Sequence, residues 1–381
     1  MQRLALISAE IFDGTAYHRD SALLVEGGKV RALVPQSQIG SDWPAHRLAG
    51  GLLAPGFVDA QVNGGGGVLL NDRPTVDGIR TICDAHGRFG TTSLLPTLIT
   101  DTPAVTEQAI ATIGQAMKAK VPGCLGLHLE GPFLSPERHG AHDPDLMRLM
   151  SEADADRLLG IEIAPLLVTI SPERVPAAII RRLVDGGIIV SLGHSNATYE
   201  QVESAVQAGA RGVTHLYNAM SPLTNRAPGL VGAALDSREL WCGLIADGHH
   251  VHPAAIRVAL RSKRRPGRIF LVTDAMSTVG SDLQAIELNG RKVHRRGGVL
   301  MLEDGTLAGS DLDMMSAVRF MVRSAGIALD EALRMASAHP AEFLGRSDIG
   351  RIAPGARADM VHIDDALKAR AIWRAGVRME A

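Results

Sequence analysis

Cys124-Leu125-Gly126-Leu127-His128-Leu129-Glu130 is an apolar run of strand length that ends on a carboxylate. Three further runs have the same form. Ile188-Ile189-Val190-Ser191-Leu192-Gly193 leads to His194, Gly212-Val213-Thr214 to His215, and Ile269-Phe270-Leu271-Val272-Thr273 to Asp274. A parallel (β/α)8 barrel gathers the carboxyl ends of all its strands around one mouth. On that fold, residues separated by 64, 21 and 59 positions would meet in space. Glu, His, His and Asp meeting there make a metal site with an adjacent base.

Working outward, eight strands fall near 53–61, 91–97, 124–130, 163–169, 188–194, 212–216, 241–247 and 268–274. Helical periodicity separates most of them, over 75–89, 104–120, 173–185, 198–209 and 253–263, with final helices over 311–326 and 329–345. Thr198 and Gln201 have the spacing of a capping box. Segment 218–237 is broken by Pro and Gly and reads as an active-site loop. Asn289-Gly290, Gly297-Gly298 and Asp304-Gly305 predict hairpins inserted after the eighth strand. Short β segments open the chain and similar ones close it. The expected architecture is α/β: a (β/α)8 TIM-like barrel over 53–349, and a small β-sandwich domain built from 1–52 plus 350–381.

Composition excludes several classes of function. Net charge is −2, so no global field draws the chain to nucleic acid or anionic membrane. Aromatic residues are only 3%, too few for base-stacking platforms. Cys83, Cys124 and Cys242 form no CxxC pair and no disulfide framework. The start lacks a basic region followed by a long apolar core, and no apolar stretch has the length of a membrane span. A cytoplasmic location is expected.

Each polar strand end has a bland reading beside the functional one. Glu130 is a metal ligand or a helix cap. His194 and His215 are ligands or core histidines. Asp274 is a general base or half of a structural ion pair. The apolar strands before all four, and their shared position at strand ends, favour the functional set. His128 shares a face with Glu130 and is read as a supporting or packing residue. His139, His142, His249, His250 and His252 fall in βα loops and remain candidates. Asn63-Gly64-Gly65-Gly66-Gly67 lacks a P-loop lysine and dinucleotide spacing.

In order along the chain come Ala54-Pro55-Gly56-Phe57-Val58-Asp59-Ala60-Gln61-Val62-Asn63-Gly64, His128-Leu129-Glu130-Gly131-Pro132-Phe133, Leu192-Gly193-His194-Ser195-Asn196-Ala197-Thr198, Thr214-His215-Leu216-Tyr217-Asn218-Ala219-Met220, Asp247-Gly248-His249-His250-Val251 and Val272-Thr273-Asp274-Ala275. Together they resemble the amidohydrolase superfamily, and within it the N-acetylglucosamine-6-phosphate deacetylases, over essentially the whole chain. The superfamily's His-x-His pair at the first strand end is replaced by Gln61 and Asn63, which resembles the mononuclear branch.

The resemblance implies one divalent metal per subunit, zinc with iron or another divalent ion as alternatives, held by Glu130, His194 and His215. It implies that Asp274 is the acid/base and that His142 polarises the acetyl carbonyl. Gln61, Asn63, His142, Asn218, Ala219, Arg226 and His250 are the implied substrate contacts. Arg226 and His250 would complete the neighbouring site of a homodimer. The implied reaction releases acetate from N-acetyl-D-glucosamine 6-phosphate. The galactosamine epimer and a non-catalytic sugar-phosphate-binding barrel are the rival readings.

Overall fold

The computed structural model describes residues 3–379. Eight parallel strands form one sheet in strict chain order: β1 (Phe57–Val62), β2 (Thr91–Ile99), β3 (Leu127–Glu130), β4 (Leu166–Ile170), β5 (Ile189–Leu192), β6 (Gly212–Val213), β7 (Trp241–Ile245) and β8 (Ile269–Val272). The barrel closes just beyond the end of β8. Val62 bridges Ala275 in parallel, and the Asp274 N–H donates to the Gln61 carbonyl at 3.0 Å. Below this seam Asp59 of β1 accepts the Thr273 hydroxyl at 2.6 Å and the Thr273 N–H at 3.2 Å.

Helices cover the barrel: α1 (Val76–Gly87), α2 (Pro103–Lys118), α3 (Glu152–Leu159), α4 (Ala177–Asp185), α5 (Tyr199–Gln207), α6 (Gly229–Asp236), α7 (Pro253–Ser262), α8 (Met314–Arg323), α9 (Leu329–Ala336) and α10 (Ala338–Phe343). In α4, Ile179, Ile180 and Leu183 form the buried stripe that a 3.6-residue period places on one face. α5 begins with the capping box read from the sequence: Gln201 N–H donates to Thr198 Oγ1, and Thr198 N–H to Gln201 Oε1.

Strands from both chain ends build two further sheets. One orders Lys29–Pro35, Ser21–Glu26, Arg3–Ile7 and Ala45–Arg47. The other orders Val377–Arg378, Ala369–Arg374, Met360–Ile363, Leu52–Pro55, Glu10–Phe12 and Tyr17–His18. Leu6, Leu23 and Val25 of the first meet Ile11, Leu53, Met360 and Trp373 of the second in one apolar core. Arg374 reaches from this sandwich under the barrel. Its guanidinium donates to the carbonyls of Cys83 (2.5 Å), Thr91 (3.0 Å) and Pro122 (3.3 Å) and pairs with Asp84 at 3.2 Å.

Several elements differ from the sequence reading. The expected strand 53–61 divides at Gly56, with Leu52–Pro55 in the sandwich and Phe57–Val62 in the barrel. A β carbon at Gly56 would collide with Thr92, so only glycine lets the chain pass between the two bodies. Residues 229–236 of the expected loop form α6, a helix buried on every face and therefore without amphipathic period. The expected helix 329–345 breaks at Ser337. α3 escaped periodicity because it spans only eight residues, although its Ser151–Asp154 capping box marks it.

The hairpins after β8 form a three-stranded antiparallel sheet of Ala285–Leu288, Arg291–Arg296 and Val299–Met301. Asn289 and Gly290 both have positive φ, as a two-residue type I′ turn demands. Leu288, Val293 and Leu300 pack with Ile99 and Met276, which fixes this sheet over the barrel mouth.

Candidate active site

The barrel brings Glu130, His194, His215 and Asp274 to one end, all at least nine-tenths buried. Three of them turn out of their strands with φ of +44° (His194), +33° (His215) and +53° (Asp274). Non-glycine residues there carry strain on the order of 1–3 kcal/mol each. Flanking backbone bonds hold the turns: Gly193 N–H to Ile170 O at 3.1 Å, Leu216 N–H to Gly243 O at 2.7 Å, and Ser310 N–H to Asp274 O at 2.9 Å. The same feature explains why β6 stops at Val213 rather than 216.

Glu130 Oε1 lies 3.0 Å from His215 Nε2 and 3.3 Å from His194 Nε2, and the two Nε2 atoms are 3.1 Å apart. His194 Nδ1 lies 2.8 Å from the Arg138 carbonyl, which can only accept, so Nδ1 carries a proton. In the neutral ring Nε2 then offers its lone pair to the triangle. Nitrogen and oxygen ligands at about 2.0–2.1 Å from a tetrahedral zinc stand roughly 3.3 Å apart. The three groups form a cluster that could hold a metal ion, and their spacing and lone pairs fit a divalent one. Burial pushes the Glu130 carboxyl up, but hydrogen bonds and charge from His194 and His215 outweigh it and hold the group well below the usual range.

Gln61 stands between the two carboxylates. Its Nε2 donates to Glu130 Oε2 at 3.1 Å and to Asp274 Oδ1 at 3.2 Å. Asn63 Nδ2 donates to the same Asp274 Oδ1 at 2.7 Å. Burial, followed by the charge of Glu130, lifts the Asp274 carboxyl to about 6, against the opposing hydrogen bond from Asn63. A carboxyl in that range exchanges protons readily near neutral pH.

A cavity of about 380 Å³ opens on this group. His142 lines it, with Nδ1 against the Thr100 hydroxyl (2.9 Å) and backbone N–H (3.4 Å). An N–H can only donate, so Nδ1 accepts and Nε2 carries the ring proton. Burial first, and the charge of His194 next, hold His142 well below the usual imidazole range, so it stays neutral. Asn63, Asn218, Ala219 and His250 line the same cavity. Asp247 Oδ2 takes His250 Nδ1 at 2.6 Å and so orients the ring.

Two sequence-expected contacts lie elsewhere. Arg226 is exposed and outside the cavity lining, and Gln61 directs its amide at the two carboxylates rather than into the cavity. His128 sits between Thr97 (3.2 Å) and Thr169 (2.7 Å) inside the barrel, and burial lowers it to about 4. His252 caps α7 by accepting the Ala254 N–H. The sequence reading missed Thr100, Asp247 and the Arg138 carbonyl. Of these only Asp247, three residues before His250, carries a signal. Leu288, Thr306 and Leu307 of the inserted hairpins also reach the cavity, which periodicity cannot show.

The sequence profile of the amidohydrolase family matches residues 52–376. The chain belongs to the amidohydrolase family. Among family members, it is 45% identical to an N-acetylgalactosamine-6-phosphate deacetylase from Shewanella sp. (strain ANA-3), over 90% of this chain and 87% of that one. It is 33% identical to an N-acetylglucosamine-6-phosphate deacetylase from Haemophilus influenzae over 94% of each. The crystal structure of N-acetylglucosamine-6-phosphate deacetylase from Pasteurella multocida superposes with a TM-score of 0.96 at 33% identity over 100% of both chains. This amidohydrolase is therefore a hydrolase with a barrel and an attached β-sandwich. Among the described residues no helix is long and apolar enough to cross a membrane.

Proposed function

We propose that the protein hydrolyses the acetamide of N-acetyl-D-glucosamine 6-phosphate to glucosamine 6-phosphate and acetate. One observation carries this reading: a three-donor cluster fit for a metal and a proton-exchanging carboxyl face one cavity that also holds a neutral histidine donor. Glu130, His194 and His215 would hold the ion, proposed to be zinc, which supplies Lewis acidity and lowers the pKa of water when bound.

Asp274 takes the proton as water attacks the acetamide carbon. His142 Nε2–H donates to the carbonyl oxygen as negative charge grows there. Asp274 then returns the proton to the nitrogen as the C–N bond breaks. Gln61 and Asn63 hold Asp274 in one rotamer throughout. Asn218, the Ala219 backbone and His250 are proposed phosphate contacts, and exposed Arg226 is proposed to act on the neighbouring site of a homodimer. Residues 57–349 form the proposed catalytic domain, and the terminal segments, with Leu52–Pro55 among them, a supporting one. The compartment is proposed to be the cytoplasm.

A second reading changes only the sugar. The 45% identity to a galactosamine-type deacetylase favours the C4 epimer. Acetate release from N-acetylglucosamine 6-phosphate, from its galactosamine epimer and from unphosphorylated N-acetylglucosamine tests both. Release from the first supports the proposal, and release from the epimer alone replaces it with the second reading. No release from either phosphate, in protein with its metal bound, refutes both.

A further inference from the structure

The opposite end of the barrel holds a larger cavity, of about 940 Å³. It opens where the amino ends of β2, β3 and β4 meet the last strands of the chain, with Thr92, Cys124 and Ala164 in its wall. The catalytic side chains all lie at the carboxyl ends of the strands, so the two cavities are separate. No step proposed above uses this one.

Its charge is one-sided. Six cations line it, and Asp84 is the acid among the lining residues. Three of the cations are held in structural pairs. Arg374 pairs with Asp84, Arg346 with Asp348 at 2.8 Å, and Arg357 Nε donates to Asp359 at 2.6 Å. The other three, Arg88, Lys120 and Arg378, are exposed and have no ion pair among the described residues. They come from three separate places: the turn after α1, the turn after α2, and the final strand. Nothing local in the sequence puts them together. The deeper wall is apolar, with Val121, Leu125 and Met379.

Three cations with no ion pair among the described residues, set around a concave wall, make a field that favours an anion. Guanidinium groups match phosphate oxygens with paired donors. A volume of this size also accepts an organic body as large as a sugar or a nucleoside. We infer that this basal cavity is a second binding site, for a small phosphate ester whose charge meets Arg88, Lys120 and Arg378 and whose body rests on the apolar wall. Because its walls come from both the sandwich and the barrel, occupation would tie the two together.

The test uses the zinc-loaded protein and inorganic phosphate, then adenosine 5′-monophosphate as a phosphate ester with a body. Thermal midpoints are read at constant ionic strength held with chloride. The proteins are the wild type, the triple variant Arg88→Gln/Lys120→Gln/Arg378→Gln, and His250→Gln as a control at the catalytic cavity. At tenfold excess over Kd, a ligand that binds only the folded state should raise the midpoint by about 2 °C. The expected result is that the triple variant loses most of the adenosine monophosphate response while His250→Gln keeps it, and that the triple variant deacetylates at the wild-type rate. Equal responses in the wild type and triple variant, or no response in the wild type, overturn the inference. The thermal readout does not depend on which sugar phosphate the catalytic site accepts.

Discussion

Asp59→Asn should change how stability depends on pH, by an amount that the structure supplies. Asp59 lies wholly buried beneath the barrel mouth. Burial lifts its carboxyl from 3.8 to about 7, against hydrogen bonds from Thr273 and Gln61 that favour the charged form. The folded state therefore holds this proton up to about pH 7, whereas the unfolded chain releases it near 3.8. Between those values the unfolded state binds fewer protons, so stability falls as pH rises. Each pH unit in that window costs about 1.4 kcal/mol. From pH 5 to pH 8 the wild type should lose about 2.5 kcal/mol that an asparagine, neutral throughout, does not lose. Asparagine can keep the two backbone N–H bonds at Oδ1, and the Thr273 hydroxyl must reorient. Urea unfolding of both proteins at pH 5 and pH 8 isolates the term, since effects common to both cancel in the difference. A wild-type-minus-variant difference that stays within about 0.5 kcal/mol across that range would show that Asp59 is ionised in the fold, and the reasoning fails.

Asp274→Asn should retain one bound metal per chain and lower kcat by roughly 10²–10⁴, the usual worth of a positioned acid/base; near-normal turnover would remove Asp274 from the reaction. Asn63→Ala deletes the 2.7 Å donor that favours the charged carboxylate. The Asp274 pKa should rise, and the acid limb of kcat/KM should move to higher pH, a shift that pH–rate profiles detect. Arg374→Met strips donors from the buried carbonyls of Cys83 and Thr91 beneath the barrel. It should cost about 3 kcal/mol in urea with the active site intact, since each orphaned acceptor is worth roughly 1–3 kcal/mol. Chelation should abolish acetate release, and equimolar zinc should restore it. Restoration should fail in His194→Ala, which a metal assay on the same samples can confirm.

How much of this was legible in sequence follows from how local each cause is. The barrel could be read because most of its strands are largely apolar runs and its long helices repeat a buried stripe. Glu130, His194, His215 and Asp274 were visible because each is the first chemically active group after such a run. The Thr198–Gln201 cap and the Asn289-Gly290 turn depend on neighbouring residues alone. α6 was not legible, because a helix buried all round has no polar face to alternate with. The division at Gly56 was not legible either, since its cause is Thr92, a residue on another strand.

What the sequence determined by itself was therefore most of the barrel's strands and helices and the strand ends that carry the chemistry. Tertiary structure alone decided how those ends are tuned. The 3.0–3.3 Å triangle, the amide of Gln61 between Glu130 and Asp274, and the lift of Asp274 to about 6 all depend on burial and on partners 21 to 213 positions away. The basal cluster of Arg88, Lys120 and Arg378 is of the same kind. Dielectric environment and the distance between charges are properties of the packed molecule, and no window along the chain contains them.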